Sequence, residues 1–417
     1  MIYKAKFRQI IAVLILAFGL HACQHKENKE EQEAATAQAE AGTFGYDLAF
    51  LKSKDDSLIL LQDAAGVGQV LVSAKYQGKV FTSTANGHAG RSFGWINYDA
   101  FDAAPDPHMN AYGGENRLWL GPEGGRYSVF FKPKTEMVFD NWTTPPAFDT
   151  ESWVVLSKSS DKVTLEKESE LVNYVGTQLK VRIYREVAML GTSAIEQELG
   201  IGMTEQVKAV GFSTHNALTN VGEQEWTKQT GAPCIWILDM FNPSPGTVIV
   251  IPYQEQATGK VATTDYFGEI PEDRVTYNAG TLFFKADGKA RGKLGLSPER
   301  AKPVAGSYDP TNQVLTITTF DVDKNSTYLN QEWTTTKDPL KGDAVNAYND
   351  GPLKDGSQMG PFYEIESVSP AAFLKPNQTL THRHNVYHFT GDKDALNNIS
   401  QEVLGVTLQQ IQRAFAE

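Results

Sequence analysis

The sequence predicts an all-β protein, a large antiparallel β-sandwich with a short helical clasp at its C-terminus. Short apolar or alternating runs recur roughly every ten to twenty residues from Thr43 to about Gly391, parted by Gly, Pro, Asn and Asp. No helical period of any length lies between them. Only after residue 392 does the apolar spacing turn helical. The chain therefore divides into a signal peptide (1–22), a disordered tether (23–42), the sandwich (43–392) and helices packing on it (393–417).

The N-terminus is a targeting segment. Lys4, Lys6 and Arg8 precede Ile10 to Leu20, an apolar run too short to span a bilayer comfortably. Leu20-His21-Ala22-Cys23 resembles a bacterial lipobox, with cleavage before Cys23 and lipidation of its thiol. Three acyl chains anchor a protein firmly. Gln24, where an Asp would favour the inner membrane, favours the outer membrane, with the protein on its periplasmic or cell-surface face. Residues 24–42 are rich in Glu, Gln, Ala and Lys and contain no aromatic side chain, so they cannot bury a core.

The whole chain carries 38 basic and 50 acidic side chains, a net of −12. Loss of Lys4, Lys6 and Arg8 leaves 35 basic against 50 acidic, a net of −15. That balance argues against nucleic acid or an anionic lipid surface as partner. Membrane contact is expected through the lipid anchor alone. Beyond Cys23 the one thiol is Cys234, within the apolar run Pro233-Cys-Ile-Trp-Ile-Leu, which reads as core. No disulfide framework or cysteine metal site is possible.

The strand runs are Gln69–Ser73, Arg117–Leu120, Tyr127–Phe131, Trp153–Leu156, Leu179–Val187, Thr247–Pro252, Thr281–Lys285 and Val314–Phe320. Leu179–Val187 alternates, with Leu, Val and Ile on one face and Lys, Arg and Tyr on the other. At the C-terminus, Leu396, Ile399, Val403 and Leu404 have helical spacing and Gly405 is a stop. Thr407 then opens a second helix, with Gln410 completing a capping box.

The stretch richest in candidate chemistry is Gly113-Gly-Glu115-Asn116-Arg117-Leu-Trp119-Leu-Gly-Pro-Glu123-Gly-Gly125. Carboxylates, Asn and Arg bond hydroxyls in fixed directions, and Trp offers a face for the apolar side of a sugar ring. The paired glycines allow close backbone approach. A hairpin carrying a surface salt bridge is the plainer reading of the same residues.

Three stretches together resemble the galactose mutarotase-like superfamily, whose fold is an antiparallel supersandwich. They are Asn110-Ala-Tyr112-Gly-Gly-Glu-Asn-Arg-Leu-Trp119, Ser213-Thr-His215-Asn216-Ala-Leu-Thr-Asn220, and Phe362-Tyr-Glu364-Ile-Glu366-Ser-Val-Ser-Pro370 followed by Leu374 to His382-Arg-His384. More narrowly, the mature chain is similar to an uncharacterised family of bacterial lipoproteins in that superfamily. Trp236-Ile-Leu-Asp-Met-Phe-Asn-Pro-Ser-Pro, Tyr348-Asn-Asp-Gly-Pro and Gly360-Pro-Phe-Tyr-Glu carry that likeness.

The resemblance implies a carbohydrate ligand and aldose 1-epimerase-like acid–base chemistry. It assigns Glu366 as base, with Glu364 on the same strand face, and His215 as acid. Glu115, Asn116 and Arg117 orient hydroxyls, Trp119 stacks, and Tyr112, Asn216, His382 and His384 line the substrate. One departure matters: the superfamily's His before Gly-Gly is Tyr112 here. A phenol with a pKa of ~10 shuttles protons poorly at neutral pH. A non-catalytic glycan-binding or scaffold lipoprotein is therefore the competing reading, and whether the chain is an enzyme stays open.

No cofactor or metal is expected apart from calcium. Asp321 to Glu332 matches the spacing of an EF-hand loop, but Ser326 stands where Gly is required and strand patterns flank it, so an Asp/Asn-rich turn explains it more simply. A calcium site using Asp350 or Asp355 with Glu364 stays open. His382 and His384 share a strand face but lack a third zinc ligand nearby in sequence.

Overall fold

Alternation sorts the side chains of each strand onto two faces, and two sheets bury one face of each against the other. A computed structural model describes residues 39–416. The signal peptide, Cys23 and the tether as far as residue 38 lie outside the described residues.

The larger sheet has ten strands in the order β11 (Val275–Asn278), β12 (Thr281–Lys285), β10 (Val248–Pro252), β14 (Val304–Asp309), β15 (Val314–Phe320), β18 (Thr379–Gly391), β8 (Val207–Asn220), β7 (Gln178–Leu190), β6 (Lys162–Val172) and β5 (Val154–Lys158). The second has five: β13 (Gly292–Leu296), β16 (Val345–Asn349), β17 (Tyr363–Val368), β9 (Cys234–Phe241) and β4 (Arg117–Gly121). A three-stranded sheet, β1 (Ile59–Gln62), β2 (Gln69–Ser73) and β3 (Lys79–Thr84), completes the architecture. Paired strands in all three sheets run antiparallel. The predicted antiparallel sandwich is thus observed.

β7 alternates as read from the sequence: Leu179, Val181, Ile183 and Val187 are buried, while Lys180 and Arg182 are exposed. Arg185 breaks the chemistry of that inner face without breaking its period. It is fully buried between the sheets. Its Nη1 donates to Asn216 at 3.0 Å, its Nε to the Gly78 carbonyl at 2.9 Å, and its Nη2 to Asn116. Asn116 donates in turn to Asp239 at 2.6 Å, and His384 Nε2 donates to the other oxygen of Asp239 at 2.7 Å. Ser367 Oγ lies 2.8 Å from both His384 Nδ1 and His382 Nε2. This chain joins β4, β7, β8, β9, β17 and β18. Ser367, His384 and Asp239 follow one another as in a hydrolytic triad, but all three are fully buried, so they serve the core.

The C-terminal reading is also observed. Helices α3 (Lys393–Leu404) and α4 (Leu408–Arg413) follow α1 (Phe44–Lys54) and α2 (Thr192–Leu199) in the chain. Leu396, Ile399, Leu404, Leu408 and Ile411 are buried in an apolar layer with Val248, Leu315, Ile317 and Phe389 on the outer face of the ten-stranded sheet. Gly405 ends α3 at φ 74°, and Thr407 with Gln410 forms the capping box.

Two readings are corrected. Tyr127–Phe131 is not a strand: Ser128 N bonds Gly125 O and Phe130 N bonds the Ser128 hydroxyl, so local turn bonds replace a ladder. And helices do occur before residue 392. In α1 the buried side chains Phe44, Asp47, Leu48 and Leu51 follow the i, i+3, i+4, i+7 spacing of a helical stripe, with Thr43 as N-cap. Gly45 and the adjoining aromatics obscured it.

Two measurements test the buried network. Asp239→Asn leaves Arg185 without a nearby countercharge, and we expect a loss of roughly 3–5 kcal/mol in urea unfolding; a loss near zero would show that the carboxylate is dispensable. His382 is pushed down to about 3 by burial and by His384. A depressed histidine contributes stability above its unfolded pKa that is lost as pH falls. Stability should decline from about pH 6.5 toward 3, with a smaller decline in His382→Gln.

Candidate functional site

The faces of β4, β9, β17 and β13 that point away from the inter-sheet core carry the candidate chemistry. In β4 those residues are Arg117 and Trp119, in β9 Trp236, Leu238 and Met240, in β17 Glu364 and Glu366, and in β13 Lys293. Strand register sets them in rows: Arg117 beside Leu238 beside Glu366, Met240 beside Glu364 beside Tyr348 beside Lys293, and Trp119 beside Trp236. Loops carrying His108, Phe139, Trp333 and Met359 rise around them and close a cavity of about 290 Å³.

Two buried pairs of a cationic side chain with a carboxyl group form its floor. Arg117 Nη2 donates to Glu364 Oε1 at 2.6 Å, and Lys293 Nζ to Glu366 Oε2 at 2.9 Å. Trp236 Nε1 also donates to Glu366 Oε2, at 2.7 Å. The cations lie over aromatic faces, Arg117 at 5.0 Å from Trp119 and Lys293 at 4.6 Å from Trp236. The two indoles meet edge to face with centroids 5.6 Å apart. Glu366 Oε1, Arg117 Nε and Trp119 Nε1 are buried without a hydrogen-bond partner among the described residues.

Burial acts against charge here. It pushes Glu364 up to about 8, with Glu366 adding to the rise and Arg117 opposing it. It also raises Glu123, which faces the same cavity, against the attraction of Lys293. Burial lowers Arg117 in spite of its carboxylate neighbours. For Lys293, burial is outweighed by Glu366, Glu123 and Glu364, and the ammonium is stabilised. The Arg117 guanidinium can donate to Glu364 whether or not the other carboxyl oxygen holds a proton.

His108 stands at the cavity wall, stacked on Phe139 with ring centroids 4.5 Å apart. Its Nδ1 lies 2.6 Å from the Trp142 carbonyl, which can only accept. The proton of the neutral ring therefore sits on Nδ1, and Nε2 is an acceptor. Together the site offers an acid, an acceptor, two paired cations and apolar walls.

Of the residues expected from sequence, the structure brings Arg117, Trp119, Glu364 and Glu366 together. It does not bring His215, which is exposed on the outer face of the ten-stranded sheet opposite Arg383 and Glu186. His382, His384, Asn116 and Asn216 lie in the inter-sheet network. Glu115 is also in the core, accepting from Ser83 at 2.7 Å and lying 3.0 Å from His388 Nε2. Tyr112 packs with Tyr76 and Phe101 beside α1, under Lys79. One strand face holds each i, i+2 pair, as expected, but the histidine pair faces the core, and of the glutamate pair Glu364 lines the cavity while Glu366 is fully buried beneath it. Gly113 and Gly124 do permit close approach, though to protein: a Cβ would come within 2.4 Å of the Trp95 carbonyl and 2.3 Å of the Glu332 carbonyl respectively.

Sequence reasoning missed His108, Glu123, Trp236, Lys293 and Arg291 as cavity residues. Lys293 sits in Gly292-Lys-Leu-Gly-Leu296, where the glycines hide the strand pattern. Trp236 lay in a run that read wholly as core. Glu123 alone carried a signal, standing inside the polar stretch already singled out.

The candidate calcium ligands have protein partners. Asp323 accepts from Asn325 N and Ser326 Oγ in a tight turn, and Asp321 accepts from Arg383 N. Asp350 accepts from Tyr348 Oη and Gly360 N, and Asp355 from Ser357. Among the described residues no group of three or more His, Cys, Asp and Glu side chains is arranged to hold a metal.

The chain is similar to several solved structures. A putative aldose 1-epimerase from Escherichia coli shares 14% identity at a TM-score of 0.44, covering 80% of this chain and 98% of that one. A galactose mutarotase-like protein from Lactobacillus casei shares 11% at 0.46, covering 80% and 100%. A galactose mutarotase related enzyme from Lactobacillus acidophilus shares 11% at 0.41, covering 79% and 97%. No curated protein matches the chain. Residues 42–415 match the model of DUF6786, a family of unknown function, and the chain belongs to that family.

Proposed function

We propose that this protein acts on a carbohydrate through acid–base chemistry at the cavity on the five-stranded sheet. The observation that carries the reading is one cavity holding both tryptophan faces and hydrogen-bonded carboxylates. Apolar walls with a few convergent polar groups are the usual make-up of a small-ligand site, and a ring that is apolar on its faces and hydroxylated at its edge matches that mixture.

Opening a cyclic hemiacetal needs a base at the anomeric hydroxyl and an acid at the ring oxygen. Glu364, raised to about 8, keeps its proton at neutral pH and serves as the acid. His108 Nε2 serves as the base. These assignments replace Glu366 and His215. Glu366, buried beneath the cavity, holds Lys293 and Trp236 in place, and Lys293 and Arg117 orient hydroxyls. The hydroxyl proton passes to His108, the proton of Glu364 passes to the ring oxygen, and the ring bond breaks as the carbonyl forms. Reclosure on either face reverses both transfers and exchanges the anomers.

Non-catalytic glycan binding is the second reading. Its support is the 2.6 Å pairing of Arg117 with Glu364, which occupies both groups.

Anomer exchange followed by NMR across a panel of sugars, with calorimetry on the same panel, separates the two. For catalysis we expect a rate that falls as pH rises through about 8, as Glu364 loses its proton. Glu364→Gln and His108→Ala should each lower it by about 10²-fold or more. Binding without turnover would instead select the second reading. The stability of the fold has the same sign: a carboxyl raised from 4.5 to about 8 favours the folded state below its unfolded pKa, and that contribution is lost toward pH 8.

We also propose that the chain is an envelope lipoprotein anchored through Cys23. The ordered basic, apolar and cysteine segments of the N-terminus support this. Cys23→Ser should abolish labelling by a radioactive or clickable fatty acid; continued labelling would refute the anchor.

A further inference from the structure

We infer that the carbohydrate taken by this cavity bears an oxyanion (a carboxylate, phosphate or sulfate) and that Arg291 receives it. The inference rests on the carbohydrate reading of the cavity and names the ligand class within it.

Side-chain pairing points to this residue. Three cationic side chains line the cavity: Arg117, Lys293 and Arg291. The first two are buried and each donates to its own carboxyl group, Glu364 and Glu366, while Asp106 and Glu123 also line the cavity. Arg291 is exposed, and among the described residues it joins no ion pair. Its position follows from strand geometry. It stands two residues before Lys293, immediately before β13, and both side chains reach the cavity.

The guanidinium is also oriented. It lies 4.0 Å from the centroid of the Phe267 ring. Its Nε donates to the Tyr348 hydroxyl at 3.2 Å, and that hydroxyl donates to Asp350 at 3.0 Å. Tyr348 is itself hydrogen-bonded in register with Lys293 and Glu364, so the chain Asp350–Tyr348–Arg291 is tied to the floor of the site. With Nε engaged and one face on a ring, the two terminal nitrogens remain as a planar fork. A planar fork matches two oxygens of one carboxylate, phosphate or sulfate. Ring stacking with Nε anchored holds that fork in place before a ligand arrives, which reduces the ordering cost of binding. A neutral sugar can offer two hydroxyl oxygens to the fork but no charge to meet it.

The test is calorimetry on the full chain with methyl glucuronide, methyl glucoside, glucose 6-phosphate and inorganic phosphate, using wild type and Arg291→Gln. The expected result is that a charged sugar binds at least about tenfold more tightly than the neutral glycoside at low salt. That preference should shrink with added salt and vanish in Arg291→Gln, while affinity for the neutral glycoside is unchanged. The arms with glucuronide and glucose 6-phosphate distinguish carboxylate from phosphate. Equal binding of charged and neutral glycosides overturns the inference and leaves the carbohydrate reading standing. Arg291-dependent binding that does not favour charged sugars over inorganic phosphate supports the anion subsite and removes the carbohydrate reading. Anion binding unaffected by Arg291→Gln overturns the assignment of this residue.

Discussion

The Asp239 carboxylate fixes much else in this molecule. It is fully buried between two sheets, and each oxygen takes one hydrogen bond, from Asn116 and from His384. Through Asn116 it is linked to Arg185, whose guanidinium is fully buried and lowered to about 9 by burial, with Asp239 as its opposing charge. A buried charge without partners is severely unfavourable, so β4, β7, β9 and β18 have little freedom to slip. A one-residue slip would exchange every inward for every outward side chain. The network therefore sets which residues of β4, β9 and β17 reach the cavity.

The cavity inherits its order from that constraint. Asn116 inward places Arg117 outward. Asp239 inward places Leu238 and Met240 outward, and Ser367 inward places Glu366 outward. The outward face then repeats the same physics at closer range to solvent, with carboxylates, cations and indoles arranged so that each charge has an opposite charge or a ring beside it. The difference lies in the remainder. The inner network matches every polar atom of Arg185, Asn116, Asp239, Ser367 and His384, leaving His382 Nδ1 and Glu115 Oε2 without partners among the described residues. The outer one leaves Glu366 Oε1, Arg117 Nε and Trp119 Nε1 without partners among the described residues and raises Glu364 toward neutrality of charge. Buried unsatisfied groups beside a perturbed carboxyl are the usual mark of a functional site rather than of a core.

Much of this is legible in the sequence. The strand runs Gln69–Ser73, Thr281–Lys285 and Val314–Phe320 match β2, β12 and β15 to the residue, because apolar alternation bounded by turn formers is a local property. The pairs Glu364/Glu366 and His382/His384 each share a face for the same reason. Neither pair discloses which face is buried. Both faces of β17 are buried, one by the opposing sheet and one by loops, so burial alone does not separate core from cavity. His215 failed for a related reason: its neighbours Thr214 and Asn216 are in the core, and alternation sends it to solvent.

The sequence by itself determined the strand periods, the helical clasp with its caps at Gly405 and Thr407, and the presence of polar residues on strands whose apolar pattern they interrupt. Those are effects of nearest neighbours along the chain. Only the tertiary structure decided that Arg185, spaced as a core residue, is charged and paired there, that Lys293 answers Glu366 across 73 residues, and that His108 and Arg291 arrive at the same cavity from separate loops. Each of these depends on which strands lie side by side and which face each sheet turns inward, and antiparallel pairing over such distances leaves no trace in the spacing of residues along the chain.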